Sequence, residues 1–225
     1  QTLGDILTKY QSEVLVVENE ENSTLFYSSS PQDYGLELHA ACTVAHRQNI
    51  PCANGGMVSD GVALLVWDNY FEHHTPTLAC DFAHRAFPAT QARLLCDVKS
   101  RTQLSTNEQA ALTKDTALLQ EYKASGADYM NFHWYIADAH ALEETVTFLQ
   151  GAVGLPVMCN EMGQQDDSPT TAMTLLDKAL QLKLAPVIWF SIDASLDKTS
   201  HTYALNNPDN TLRPTGEAFK AFMVS

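Results

Sequence analysis

Two glutamates stand where a parallel α/β fold gathers its reactive groups. An apolar run at 14–17 leads into Glu18-Asn19-Glu20, and a second at 156–159 leads into Asn160-Glu161-Met162-Gly163. In parallel βα architectures the functional side chains collect at the C-terminal ends of the strands. A carboxylate there, next to an amide, suits chemistry at a glycosidic bond. One protonated carboxyl assists the leaving oxygen while a second, ionised one attacks or stabilises the anomeric centre. The acid must keep its proton near neutrality, which calls for burial or a neighbouring negative charge. Strand alternation predicts that Glu18 points with Glu20 and that Glu21 points out.

Between the two glutamates lies Phe132-His133-Trp134-Tyr135. Alternation puts His133 and Tyr135 on one face and Trp134 on the other. The Tyr135 hydroxyl is suited to donate to a nearby carboxylate, although a His and a Tyr can equally be satisfied core residues. A last apolar run brings Trp189, either as a platform for a pyranose ring or as plain core. Other polar clusters are weaker. His73-His74 with His84 and Asp81 match no familiar metal spacing, and no metal or other cofactor is expected. Asp166-Asp167 and Asp193 read equally as subsite residues or as solvated turn residues.

The elements that must position these groups alternate between β-rich runs and amphipathic stretches. Helices are predicted over 3–10, 34–48, 61–71, 107–124, 139–149, 170–184 and 215–223, and strands over 14–17, 52–58, 129–135, 156–160 and 186–192. Residues 73–105 show no clear period and contain Pro76 and Pro88, so this segment reads as a long insertion with at most short helices. Residues 1–225 form one domain, without repeats or a linker. Five strands connected through helices fit either a doubly wound sheet or a (β/α) barrel. No GxGxxG or GxxxxGK[ST] loop supports a nucleotide fold.

The set Val-Glu-Asn-Glu-Glu-Asn (17–22), His-Trp-Tyr (133–135), Asn-Glu-Met-Gly (160–163) and Trp-Phe-Ser (189–191) resembles the retaining glycoside hydrolases of clan A. The resemblance implies a TIM-type (β/α)8 barrel, with the acid/base at the end of strand 4 and the nucleophile at the end of strand 7. By position, Glu20 is then the acid/base and Asn19 the partner of the sugar 2-hydroxyl. Glu161 is the nucleophile, Tyr135 its hydrogen-bond partner, His133 a substrate-site residue and Trp189 the platform. The ~140 residues between the glutamates suit three intervening βα units. On the same alignment the chain covers strands 4 to 8 only, a partial barrel. Five strands cannot close, so two edges and an apolar interior stay open. A homo-oligomer or a complementing chain is expected to cover them. The activity implied is double-displacement hydrolysis of a β-glycoside in an oligo- or polysaccharide. The alternative is a catalytically impaired carbohydrate-binding protein of the same fold.

Composition removes other classes. With 13 Lys and Arg against 27 Asp and Glu the formal charge is −14, which repels a phosphate backbone, so no nucleic-acid partner is expected. No apolar run reaches the ~18 residues of a membrane span, so the chain reads as soluble. The five cysteines leave at least one thiol free or paired between chains. Cys80 and Cys96 are the best disulfide candidates, against the simpler reading of all five as small apolar fillers. The chain starts at Gln1 without a leader, so a signal peptide is absent or already removed; location stays open between secreted and cytoplasmic.

Overall fold

The computed structural model describes residues 2–73, 75–192 and 204–224. Helix starts follow local chemistry. Thr2, Ser30, Thr75, Ser105, Asp138 and Ser168 each place a side-chain oxygen on a backbone N–H of the following first turn, meeting donors that a helix leaves unpaired. They introduce α1 (Leu3–Tyr10), α2 (Pro31–His46), α4 (Pro76–Ala86), α6 (Thr106–Ser125), α7 (Ala139–Val153) and α8 (Pro169–Gln181). The remaining helices are α3 (Ser59–His73), α5 (Ala89–Asp97) and α9 (Pro214–Met223). Residues 73–105 are therefore largely helical, with a 3-10 turn at Arg101–Gln103. The prolines read as interruptions are starts: Pro76 occupies the first turn of α4 and Pro88 is the N-cap of α5. A proline loses nothing there, because its missing N–H would have had no helical partner.

The strands are β1 (Leu15–Val17), β2 (Cys52–Asn54), β3 (Met130–Trp134), β4 (Val157–Met162) and β5 (Val187–Trp189). All pairings among these five strands are parallel. β1 pairs with β2, and β3–β4–β5 form a second sheet in that order. Bridges Ala53–Tyr129 and Met57–Phe132 join the two sheets. The result is one arc of five strands in chain order, which helices cover from outside. Among the described residues, β1 pairs only with β2 and β5 only with β4, so both ends of the arc are edges. Of the barrel expected from the resemblance, the described residues show this run of five parallel strands in two small sheets, not closed.

β4 departs from its neighbours' count. Between the pairs Asn131–Met158 and His133–Glu161 it advances three residues while β3 advances two. Between Cys159–Val187 and Met162–Trp189 it again takes three against two. One extra residue is thus accommodated as a bulge, which locally breaks the alternation of side chains.

Two disulfides tie the helices. Cys80–Cys96, the best candidate pair of the two readings, links α4 to α5, and Cys42–Cys52 links α2 to β2. The fifth cysteine, Cys159, is free and buried. No described helix is long and apolar enough to cross a membrane.

Candidate active site

The C-terminal ends of β1, β3 and β4 converge on His133. Its ring is wholly buried, with Nδ1 2.9 Å from Glu20 Oε1 and 3.5 Å from Glu161 Oε2. One oxygen of each carboxylate and the imidazole nitrogen lie within 4.8 Å of one another. Tyr135 donates from its hydroxyl to Glu161 Oε1. Glu20 and Glu161 are each about one-fifth exposed, at 18% and 24%. His133 and Tyr135 share a face, while Trp134 is fully buried with its ring 5.9 Å from Phe132.

The bulge in β4 lets consecutive residues serve one site. Asn160 Oδ1 faces His133 Nε2 at 3.1 Å, and Glu161 faces Nδ1 of the same ring. In a flat strand these neighbours would point to opposite faces. Two glycines make room. Gly56 has φ +97°, and a Cβ there would stand 2.3 Å from His133 Nε2; a Cβ on Gly163 would stand 2.7 Å from the Tyr135 ring.

A chain of amides fixes the ring's protonation pattern. The Asn131 N–H donates to Asn54 Oδ1 at 2.6 Å, so Asn54 Nδ2 donates to Glu21 Oε1 and to the Asn131 carbonyl. The Asn160 N–H donates to Asn131 Oδ1 at 3.1 Å, so Asn131 Nδ2 donates to Asn160 Oδ1 at 2.6 Å. Asn160 Oδ1 is thereby an acceptor, and His133 Nε2 must carry a hydrogen to meet it. Nδ1 is then the ring nitrogen that faces the Glu20 carboxyl, at 2.9 Å. Sequence reading missed the roles of Asn54 and Asn131, whose only signal was a polar residue inside an apolar strand.

The loop after β1 corrects two expectations, for Glu21 and for Glu18. The strand stops at Val17 because Glu18 and Glu20 adopt left-handed backbone conformations, with φ 69° and 46°. Alternation ends there, and Glu21, expected to point out, is fully buried. It accepts from Tyr122 and Asn54. Burial pushes its carboxyl pKa up, against the lowering effect of these two donors. Glu18 faces Glu37 instead of the cluster; partial burial, then that neighbour, raises its pKa. Next in the loop, Asn22 accepts from the Val58 N–H and donates to Asp115 at 3.3 Å. Burial pushes Asp115 up to about 7, opposed by Asn22 and Lys114.

Not every expected residue joins the cluster. Asn19 is exposed. Trp189 is 8% exposed and packs 5.9 Å from Phe219 on α9, among Leu176 and Leu184. It faces the helices because alternation along β5 turns it away from the concave side. Phe190, one residue on, stands edge-on to Tyr135 with ring centroids 6.2 Å apart. Asp166 accepts from Thr171 at the start of α8, and Asp167 pairs with Arg213 at 2.6 Å. His74 and Asp193 lie outside the described residues.

A parallel arc of βα units with polar groups at its C-terminal rim is the architecture of a TIM-type fold. Among solved structures the chain is similar to a GH128 (subgroup VI) exo-β-1,3-glucanase from Aureobasidium namibiae. The TM-score is 0.61 at 12% identity, over 97% of this chain and 70% of that one. It is also similar to a GH128 (subgroup II) endo-β-1,3-glucanase from Sorangium cellulosum, with a TM-score of 0.52 at 15% identity, over 96% and 73%. The chain thus has the fold of these glycoside hydrolases. No protein-family model matches it, and no curated protein matches it.

Proposed function

We propose that the protein is a retaining β-glycoside hydrolase of the clan A type, with Glu161 as nucleophile and Glu20 as acid/base. The observation that carries this is the meeting of one oxygen from each carboxylate with His133 Nδ1, all within 4.8 Å. Retaining enzymes hold their two carboxyls about 5–5.5 Å apart, whereas inverting ones leave about 6.5–9.5 Å for a water. Tyr135, donating to Glu161, orients one carboxylate oxygen and leaves the other to attack the anomeric carbon. Glu20 gives its proton to the departing oxygen. In the second half Glu20 takes a proton from the water that attacks the glycosyl-enzyme. His133, bridging both carboxylates, holds the proton that passes to and from Glu20. Phe190, beside Tyr135, takes the platform role that Trp189 does not fill.

The two β-1,3-glucanases of the same fold make a β-glucan the first substrate to try. Glu161→Ala is expected to lower turnover on β-1,3-glucan and aryl β-glucosides by several orders of magnitude. Glu20→Ala is expected to keep activity on aryl glucosides with good leaving groups and to be rescued by azide. Sugar binding without turnover in the unaltered protein would instead make it a carbohydrate-binding protein.

The proposal includes cover for the two open edges of the arc, by a second copy or by complementing strands. The two disulfides favour an oxidising, secreted setting.

A further inference from the structure

The α4–α5 hairpin carries a second cluster, independent of the carboxylate site. Cys80 and His84 are one helical turn apart on α4, so their side chains share a face. Cys96 comes from α5, and its Sγ lies 3.5 Å from His84 Nε2. The three donor atoms, two sulfurs and an imidazole nitrogen, are all within 4.8 Å of one another. In this structure the sulfurs are joined as a disulfide.

We propose that reduction of Cys80–Cys96 converts this hairpin clip into a site for a thiophilic divalent cation of the zinc class, bound by Cys80, His84 and Cys96. Zn–S bonds of about 2.3 Å and Zn–N bonds of about 2.0–2.1 Å in a tetrahedron put sulfur and nitrogen about 3.6 Å apart. The His84–Cys96 separation is already 3.5 Å. Only the sulfur pair has to open, to about 3.8 Å by the same geometry, which rotation about the Cα–Cβ bonds supplies. Three protein ligands leave a fourth position for water.

The chemistry balances with a phosphine as reductant. It attacks one sulfur and breaks the S–S bond, and water then hydrolyses the thiophosphonium. The phosphine oxide and two thiols result. Binding the cation releases both thiol protons. Access favours this bond over the other disulfide, because Cys42 and Cys52 are almost wholly buried while Cys80 and Cys96 are half-buried. The cation would hold α4 against α5 where the covalent link is lost, so the hairpin keeps a clip in either redox condition.

The test uses the full chain treated with a water-soluble phosphine, followed by thiol counting and titration with Co2+. Two newly reactive thiols should appear, and one equivalent of Co2+ should produce thiolate-to-cobalt charge-transfer and tetrahedral ligand-field bands. The oxidised protein should give neither. His84→Ala, at an exposed position, should weaken Co2+ binding at least tenfold, since losing an outer-shell partner alone costs about 10- to 100-fold. Cys96→Ser, which leaves one thiolate, should cut the charge-transfer intensity at least by half, and Glu161→Gln should leave it unchanged. The proposal is overturned by a reduced protein without charge-transfer bands, by His84→Ala binding as tightly as the unaltered chain, or by bands that depend on Glu161.

Discussion

At the scale of single residues, the site depends on how His133 is held. With Asn160 Oδ1 fixed as an acceptor, Nε2 is the donor and Nδ1 is the side of the ring that faces Glu20, at 2.9 Å. Nitrogen-15 NMR of the imidazole should show Nε2 protonated throughout the range in which the protein stays folded. A neutral Nδ1–H tautomer would contradict the amide chain. Gly56→Ala should be severe on two counts: a side chain at φ +97° costs on the order of 1–3 kcal/mol, and its Cβ would displace the His133 ring. Both a lowered melting temperature and lost turnover are expected. Asp115, 1% exposed, gives a pH prediction. Its folded pKa of about 7 lies above the ordinary aspartate value of 3.8, so the folded chain holds this proton more tightly than the unfolded one. The stability contributed is complete below about pH 4 and is lost as pH rises through 7. Asp115→Asn retains an oxygen for Asn22 and should raise stability at pH 8, by up to a few kcal/mol, and add little at pH 4. Denaturant melts at the two values decide it.

At the scale of elements, the bulge in β4 does what plain alternation cannot. Deleting one residue there should restore alternation but turn either Asn160 or Glu161 toward the helices, so turnover should vanish while helical circular dichroism persists. The candidate carboxylates, His133 and Tyr135 were legible as residue types at strand ends. Neither the bulge nor the left-handed turn at Glu18 and Glu20 was. The bulge is set by how neighbouring strands pair and the turn by the backbone past the end of β1; alternation along a single strand carries neither, and so places Glu21 in solvent. Trp189 shows the same limit. Its type suggests a sugar platform, while its position in the alternation of β5 turns it toward Phe219 of α9. Pro76 and Pro88 read as breaks from sequence although proline marks a helix start as readily as a break. Cys42–Cys52 was hidden because an α2 position and a β2 position meet only in the folded chain. Cys42→Ala with Cys52→Ala should lower stability by about 2–4 kcal/mol, measured by urea denaturation, with the Cys80–Cys96 link intact.

At the scale of the molecule, the run of βα units was legible from periodicity, down to strands placed within a few residues. That the five strands form one ordered arc was not, since short apolar runs fit more than one sheet order. The arc's edges make assembly measurable: light scattering at micromolar concentration is expected to give a mass above that of one 24.8 kDa chain, and a clean monomer would count against cover by a second copy. The arc also bears on the carboxylates. Glu20 follows the first strand and Glu161 is the last residue but one of the fourth; three strand spacings in a flat sheet would part their backbones by about 14 Å. Their approach to within 4.8 Å therefore requires the sheet to bend as well as the side chains to reach. The gap between the two glutamates is a gauge of curvature, and whatever flattens the arc spreads the pair without touching either residue.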